Sequence, residues 1–163
     1  MSTNESFRKP LKRPPVVIVA AVLQFLLGTG GFYGAYMLLR DTSGAYLGVP
    51  PDLLDRLPVD NFLVPGIFLL VFLGVLPFVN TIGLLRPATF SSLNRMNVLN
   101  AYLWPFSWSI FTASYLIVWT IGELALWGVN FLSVFYLIWG IVSLLLMLLP
   151  AIRSFYRKTD QPQ

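Results

Sequence analysis

The sequence predicts an all-α membrane protein, a compact four-helix transmembrane bundle with a short amphipathic segment in the first outer loop. Three observations predict it. The chain has 163 residues, of which 56% are hydrophobic and only 11% charged, whereas a soluble domain carries roughly 25% charged residues. Four windows, at about 15–39, 61–85, 98–126 and 131–152, are apolar enough to reach the roughly 20 residues that cross the hydrocarbon. The basic residues fall on one side of that pattern. Arg8, Lys9, Lys12 and Arg13 precede the first window, Arg86 and Arg95 follow the second, and Arg153, Arg157 and Lys158 follow the fourth. Lys and Arg gather on the cytoplasmic face. Both tails, 1–14 and 153–163, are therefore expected inside an inner (cytoplasmic) membrane, flanking a transmembrane domain at 15–152.

Composition also excludes chemistry. The chain has no histidine and no cysteine. Thiol redox chemistry, Cys/His zinc sites and any Ser-His-Asp or Cys-His catalytic unit are excluded. No cofactor and no metal are expected. The basic clusters read as anchors near anionic lipid, so membrane lipids are the expected partners and nucleic acid is not.

The first window is too long for a signal-peptide core, which needs about 7–15 apolar residues. It reads as an uncleaved helix. At 100° per residue, Ala21, Gln24, Gly28, Gly31 and Ala35 form one stripe, and Gly30 and Gly34 form a GxxxG pair beside it. Lipid gives apolar faces little drive to associate, and small residues let backbones approach instead. Gly28, Gly30, Gly31 and Gly34 are thus helix-packing positions. They serve contacts within the chain or, for Gly30 and Gly34, a homodimer seam. In the second window Pro65 sits in the first turn, where a missing N–H costs little. Pro77 lies inside it and removes the bond to the Leu73 carbonyl, which predicts a kink. Pro105 predicts a bend near the cytoplasmic end of the third window.

Gln24, Asn80, Ser107 and Ser143 come one from each helix and fall in the cytoplasmic half. They are expected to form one interhelical hydrogen-bond cluster, at about 0.6 kcal/mol per bond, with a polar ligand pocket as the alternative. Trp119 and Trp127 near the outer boundary, and Trp104 with Tyr102 near the inner one, read as interfacial belts.

The outer loop, RDTSGAYLGVPPDLLDRLPVDNFLVPG at residues 40–66, has its own texture. Asp41, Thr42, Ser43 and Gly44 predict a turn in which side chains satisfy local backbone groups. Leu53, Leu54 and Leu57 share a face opposite Asp52, Asp55 and Arg56, which predicts a short amphipathic segment over the bundle or on the membrane surface. It would act as a lid or as a structural cover. Arg40 and Glu123 both lie near outer helix ends. An ion pair between them, joined by Asp41 or Asp60, is expected as an outer clamp or ligand site.

Asp41, Ser43-Gly44-Ala45, Leu47-Gly48, Leu54, Pro58, Asp60, Phe62-Leu63 and Pro65-Gly66 resemble the first outer loop of a widespread bacterial family of small four-helix integral membrane proteins. Its pattern is D-P-S-G-A-x-L-G, then P-F-x-D-F-L-I-P-G. Here Thr42, Val59 and Val64 depart from it. Trp119 and Glu123 resemble the family's W-x-x-x-E. Where members often continue W-L-Q-P, this chain has Phe131-Leu132-Ser133-Val134. The resemblance implies four spans and this topology, and it implies no activity.

Three functions fit these residues. A non-enzymatic accessory protein, with a membrane-protein partner or a second copy of itself, is favoured by the lack of catalytic constellations. A carrier or binding protein for a small molecule or lipid would use the bundle interior or a pocket under the loop, and would need a cavity there. A lipid- or quinone-linked enzyme would need two carboxylates converging in a buried outer cleft.

Overall fold

A computed structural model describes residues 13–49, 51–56, 58–87, 89, 91–97 and 99–158. Arg8, Lys9, Lys12, Leu57 and residues 159–163 lie outside the described residues, as do the side chains of Asp52 and Arg56. Four helices are long and apolar enough to cross a membrane: α1 (Pro15–Arg40), α2 (Leu63–Leu85), α3 (Trp104–Trp127) and α4 (Phe131–Leu148). A short α5 (Pro150–Tyr156) follows. The fold is an all-α four-helix bundle, with no strand among the described residues. Val22, Phe25, Val118, Ile138 and Leu145 point outward and are exposed. On a soluble protein such a surface would mark an interface; around a bundle of spanning length it is the lipid-facing side. The protein is a multi-pass membrane protein.

Two hairpins make the bundle. α1 lies along the full length of α2, and α3 along α4. The glycine stripe explains the first pairing. Ala21, Gln24, Gly28, Gly31 and Ala35 are all buried. A Cβ added to Gly31 would stand 2.0 Å from the Leu73 carbonyl oxygen, and one added to Gly28 would meet the Phe78 ring at 2.7 Å. Gly31 is therefore in backbone-to-backbone contact with α2, close enough for a Cα–H···O interaction with Leu73.

Proline sets boundaries that differ from those expected. The third helix begins at Trp104, later than the expected residue 98, because Pro105 occupies its first turn. There the missing N–H is harmless and φ is already helical. Pro105 thus starts the helix and does not bend it. The fourth span ends at Leu148, short of residue 152. Leu149 is extended, at φ −58° and ψ 137°, and Pro150 opens α5. A residue before proline is disfavoured in the α region. Pro77 is accommodated by a π-helical stretch, Leu69–Val75, just upstream. The Leu76 N–H bonds five residues back, to the Val71 carbonyl. Wide turns of this kind are a common answer to a broken i→i−4 ladder.

The tail-side half closes on a dense core. Val17, Ala20, Ala21, Leu84, Phe106, Met147, Ile152 and Tyr156 form one cluster. Trp104 is fully buried, so it is no interfacial anchor. Its ring fills the place a side chain at Gly83 would take, where an added Cβ would lie 2.2 Å from Cη2, and its Nε1 donates to the Thr89 carbonyl at 3.1 Å. Residues 150–158 pack onto the bundle. The Leu103 N–H donates to the Tyr156 carbonyl and the Lys158 N–H to that of Ala101. The Tyr156 hydroxyl donates to the Leu84 carbonyl at 2.6 Å, and Arg13 donates to that of Leu85. Both described tails thus meet the same end of the bundle.

Candidate functional site

The loop between α1 and α2 folds as its residues predict. One Asp41 oxygen accepts from the Ser43 N–H at 3.1 Å and the Ser43 hydroxyl at 2.7 Å, and the other accepts from the Tyr46 N–H at 3.0 Å. The Ser43 hydroxyl, then the two amides, hold the carboxyl below the usual carboxylate range. Gly44 has φ +81°, a conformation that costs glycine little, and Phe62 packs where a Gly44 side chain would stand. The D-x-S-G-A-x-L-G stretch thus encodes a turn. The segment Pro51–Arg56 is a 3₁₀ turn. Its Leu53 is buried in a cluster with Leu38, Val49 and Phe62, against Leu54, Leu69 and Leu126, while Asp55 is exposed. The loop is a roof over the bundle end.

Under that roof lies a cavity of about 580 Å³. Its floor is the cluster of Leu27, Leu73 and Leu116. Gly30 and Gly34 of α1, Leu69 of α2, Trp119 and Glu123 of α3 and Tyr136 of α4 form the walls, and Leu47, Pro58, Val59 and Phe62 cover it. All four helices contribute. The GxxxG pair is spent inside the chain, with Gly30 facing the Tyr136 hydroxyl and Gly34 the Leu69 methyl.

The expected Arg40–Glu123 clamp is absent among the described residues. Arg40 donates to the Tyr36 hydroxyl at 3.0 Å and to that of Tyr46 at 3.4 Å, with its guanidinium 4.9 Å from the Tyr46 ring centre. Tyr36 is one helical turn away, and such a neighbour captures the guanidinium before a distant carboxylate can. Asp41 serves its own turn, and Asp60 is exposed on the roof. Glu123 is held elsewhere. Trp119 Nε1 donates to its Oε1 at 2.7 Å, and the Ser133 hydroxyl donates to its Oε2 at 3.1 Å. Asn130 caps α4 by accepting from the Ser133 N–H, and its own amide donates to the Ser133 hydroxyl at 2.9 Å. Trp119, half-buried, therefore lines the cavity and donates to a carboxyl one turn further along its own helix. Glu123 joins α3 to α4 and presents a carboxyl at the cavity wall. Sequence reasoning missed Ser133, Asn130 and Tyr136. The N-x-x-S spacing of a helix cap ahead of Phe131 was the available signal for the first two.

The intramembrane polar residues do not form the single cluster expected. Gln24, Asn80, Ser107 and Ser143 are all buried, yet Asn80 bonds across helices to none of the other three: its amide donates to the Thr112 hydroxyl at 2.9 Å. Thr112 donates in turn to the Trp108 carbonyl. Gln24 Oε1, Asn80 Oδ1, Ser107 Oγ and Ser143 Oγ have no hydrogen-bond partner among the described residues. A serine hydroxyl is short, and reaching another helix requires it to lie directly opposite an acceptor.

Asp55 and Asp60 are exposed while Asp41 and Glu123 are committed to separate local networks. No group of three or more acidic residues able to hold a metal occurs among the described residues. Comparison with known protein families, curated proteins and solved structures finds no match.

Proposed function

We propose that this multi-pass protein binds the apolar chain of a membrane-borne molecule in the roofed cavity, as a non-enzymatic binding or carrier protein. It would sit in the cytoplasmic membrane with both tails inside, and membership of the four-helix family that residues 40–66 resemble is part of the proposal. The sequence alone favours an accessory role; the cavity moves the balance toward binding. One observation carries the reading. A space of about 580 Å³, within the roughly 300–1,000 Å³ of ligand sites, lies between two hairpins that pack closely elsewhere. Its lining is almost wholly apolar, with Glu123, Asn130 and Ser133 at one edge. Glycine at positions 30 and 34 keeps α1 from projecting side chains into it, against Tyr136 and Leu69.

Native mass spectrometry from lipid nanodiscs tests the reading. The native chain should retain a bound amphiphile, and Gly34→Leu, which projects a side chain into the cavity beside Leu69, should lose it while keeping its thermal stability. Equal retention by both chains would refute cavity binding.

A further inference from the structure

The cavity has one chemically distinct edge. Glu123 places a carboxyl among Trp119, Ser133 and Tyr136. Each of its oxygens receives one donor from the protein, and no cation forms an ion pair with it among the described residues. A carboxylate oxygen has room for about two donors. One acceptor position per oxygen thus remains. A half-buried charge without a counter-ion carries a desolvation cost, and Arg40 is tied to Tyr36 and Tyr46. The remaining polar wall groups do not change the balance. Ser133 and Asn130 are bonded to each other, and Tyr136 stands over Gly30.

We infer that the cavity selects an amphiphile whose head donates hydrogen bonds to Glu123, a primary ammonium above all, with its chain lying on the Leu27–Leu73–Leu116 floor. The inference rests on the binding role proposed above and adds the class of head group. An anionic head, a fatty carboxylate or a phosphate, would be repelled by the Glu123 oxygens, with the Tyr136 hydroxyl as a donor but no cation among the described lining residues to receive it. A neutral hydroxyl would donate one bond and bind between these extremes. Each helix pair has a part in the selection. α1, α2 and α3 supply the floor, α1 adds the glycine wall, and Glu123 of α3, bonded to Ser133 beside the Asn130 cap, supplies the recognition group.

Nanodiscs doped equally with dodecylamine, dodecanol and dodecanoate, read by native mass spectrometry, separate the outcomes. The native chain should retain the amine over the alcohol by roughly ten- to a hundredfold, the range of a hydrogen bond to a charged group, and the carboxylate least. Glu123→Gln should erase the preference for amine over alcohol while alcohol binding persists, which also shows that the variant is folded. Ser133→Ala frees an acceptor on Glu123 and should keep or raise the amine preference. If Glu123 served only to join α3 and α4, both variants would weaken all three probes in parallel, and the inference would fall. Equal retention of the three probes by the native chain would overturn the head-group selection and leave cavity binding standing. Retention of none would overturn both.

Discussion

The two halves of the bundle use the same helices to opposite ends. On the tail side, Trp104 presses into Gly83, Tyr156 bonds to Leu84, and α5 folds back over the core. On the loop side the same four helices part around a cavity covered by a roof that packs on helix ends. Small residues serve both halves. At Gly83 the place of the missing side chain is taken by a stiff, fully buried ring, and at Gly34 by the flexible end of Leu69. What distinguishes a packing glycine from a cavity glycine is the size and stiffness of what stands opposite, not its place in a GxxxG pattern.

That comparison can be broken most directly with alanine. Gly83→Ala would set a methyl 2.2 Å from Cη2 of the fully buried Trp104. It should cost about 1–3 kcal/mol, the range of core overpacking. Gly34→Ala meets only the end of Leu69, at 2.9 Å, and should shift stability by no more than about 0.5 kcal/mol. Thermal unfolding of both variants in one detergent checks the difference; equal losses would show that the halves are packed alike.

Tyr156→Phe sharpens the tail side. It removes the bond to Leu84 and should cost about 1 kcal/mol. Burial pushes the Tyr156 hydroxyl well above the ordinary tyrosine value of 10.0, with Arg13 partly opposing it. A raised acid favours its neutral form in the fold, so its contribution is complete below pH 10 and declines as pH rises from there toward the folded value. Native protein should therefore lose stability above pH 10, and the phenylalanine variant should lose less over that interval.

The smallest effect belongs to the roof. Asp41 has a lowered carboxyl, so its support is present above the ordinary value of 3.8 and fades as pH falls through the lower folded value. Asp41→Asn should loosen residues 41–48 without altering the spans. Faster proteolysis within the loop at neutral pH, with an unchanged helical signal, is the expected result.

Much of this was legible in the sequence. Hydropathy placed the four spans, and the α1 wheel named the stripe that packs on α2, because a helix surface follows a fixed rotation per residue. Asp41 to Gly48 announced their turn through side chains that bond to their own backbone. The prolines were harder. Pro105 and Pro150 could bend a helix or begin one, and local chemistry permits both; the docking of residues 101–103 on 156–158 favours beginning. The Glu123 site was half legible. Its carboxyl stood out, but its partners are a local tryptophan and a serine across a turn, while Arg40 found nearer tyrosines. The cavity was not legible at all, since no residue encodes it. It exists where two hairpins diverge.

The π-helical stretch Leu69–Val75 has one more consequence. A wide turn carries an additional residue, so the portions of α2 above and below it are out of phase. Leu69 and Leu73 look into the cavity, while Asn80 and Gly83, lower down, look onto α3. Deleting a single residue there would restore a regular helix and rotate the upper portion by about 100°. Leu69 and Leu73 would swing off the binding wall with the lower contacts undisturbed. The irregularity acts as a phase-setter that lets one helix serve a sealed end and an open end at once.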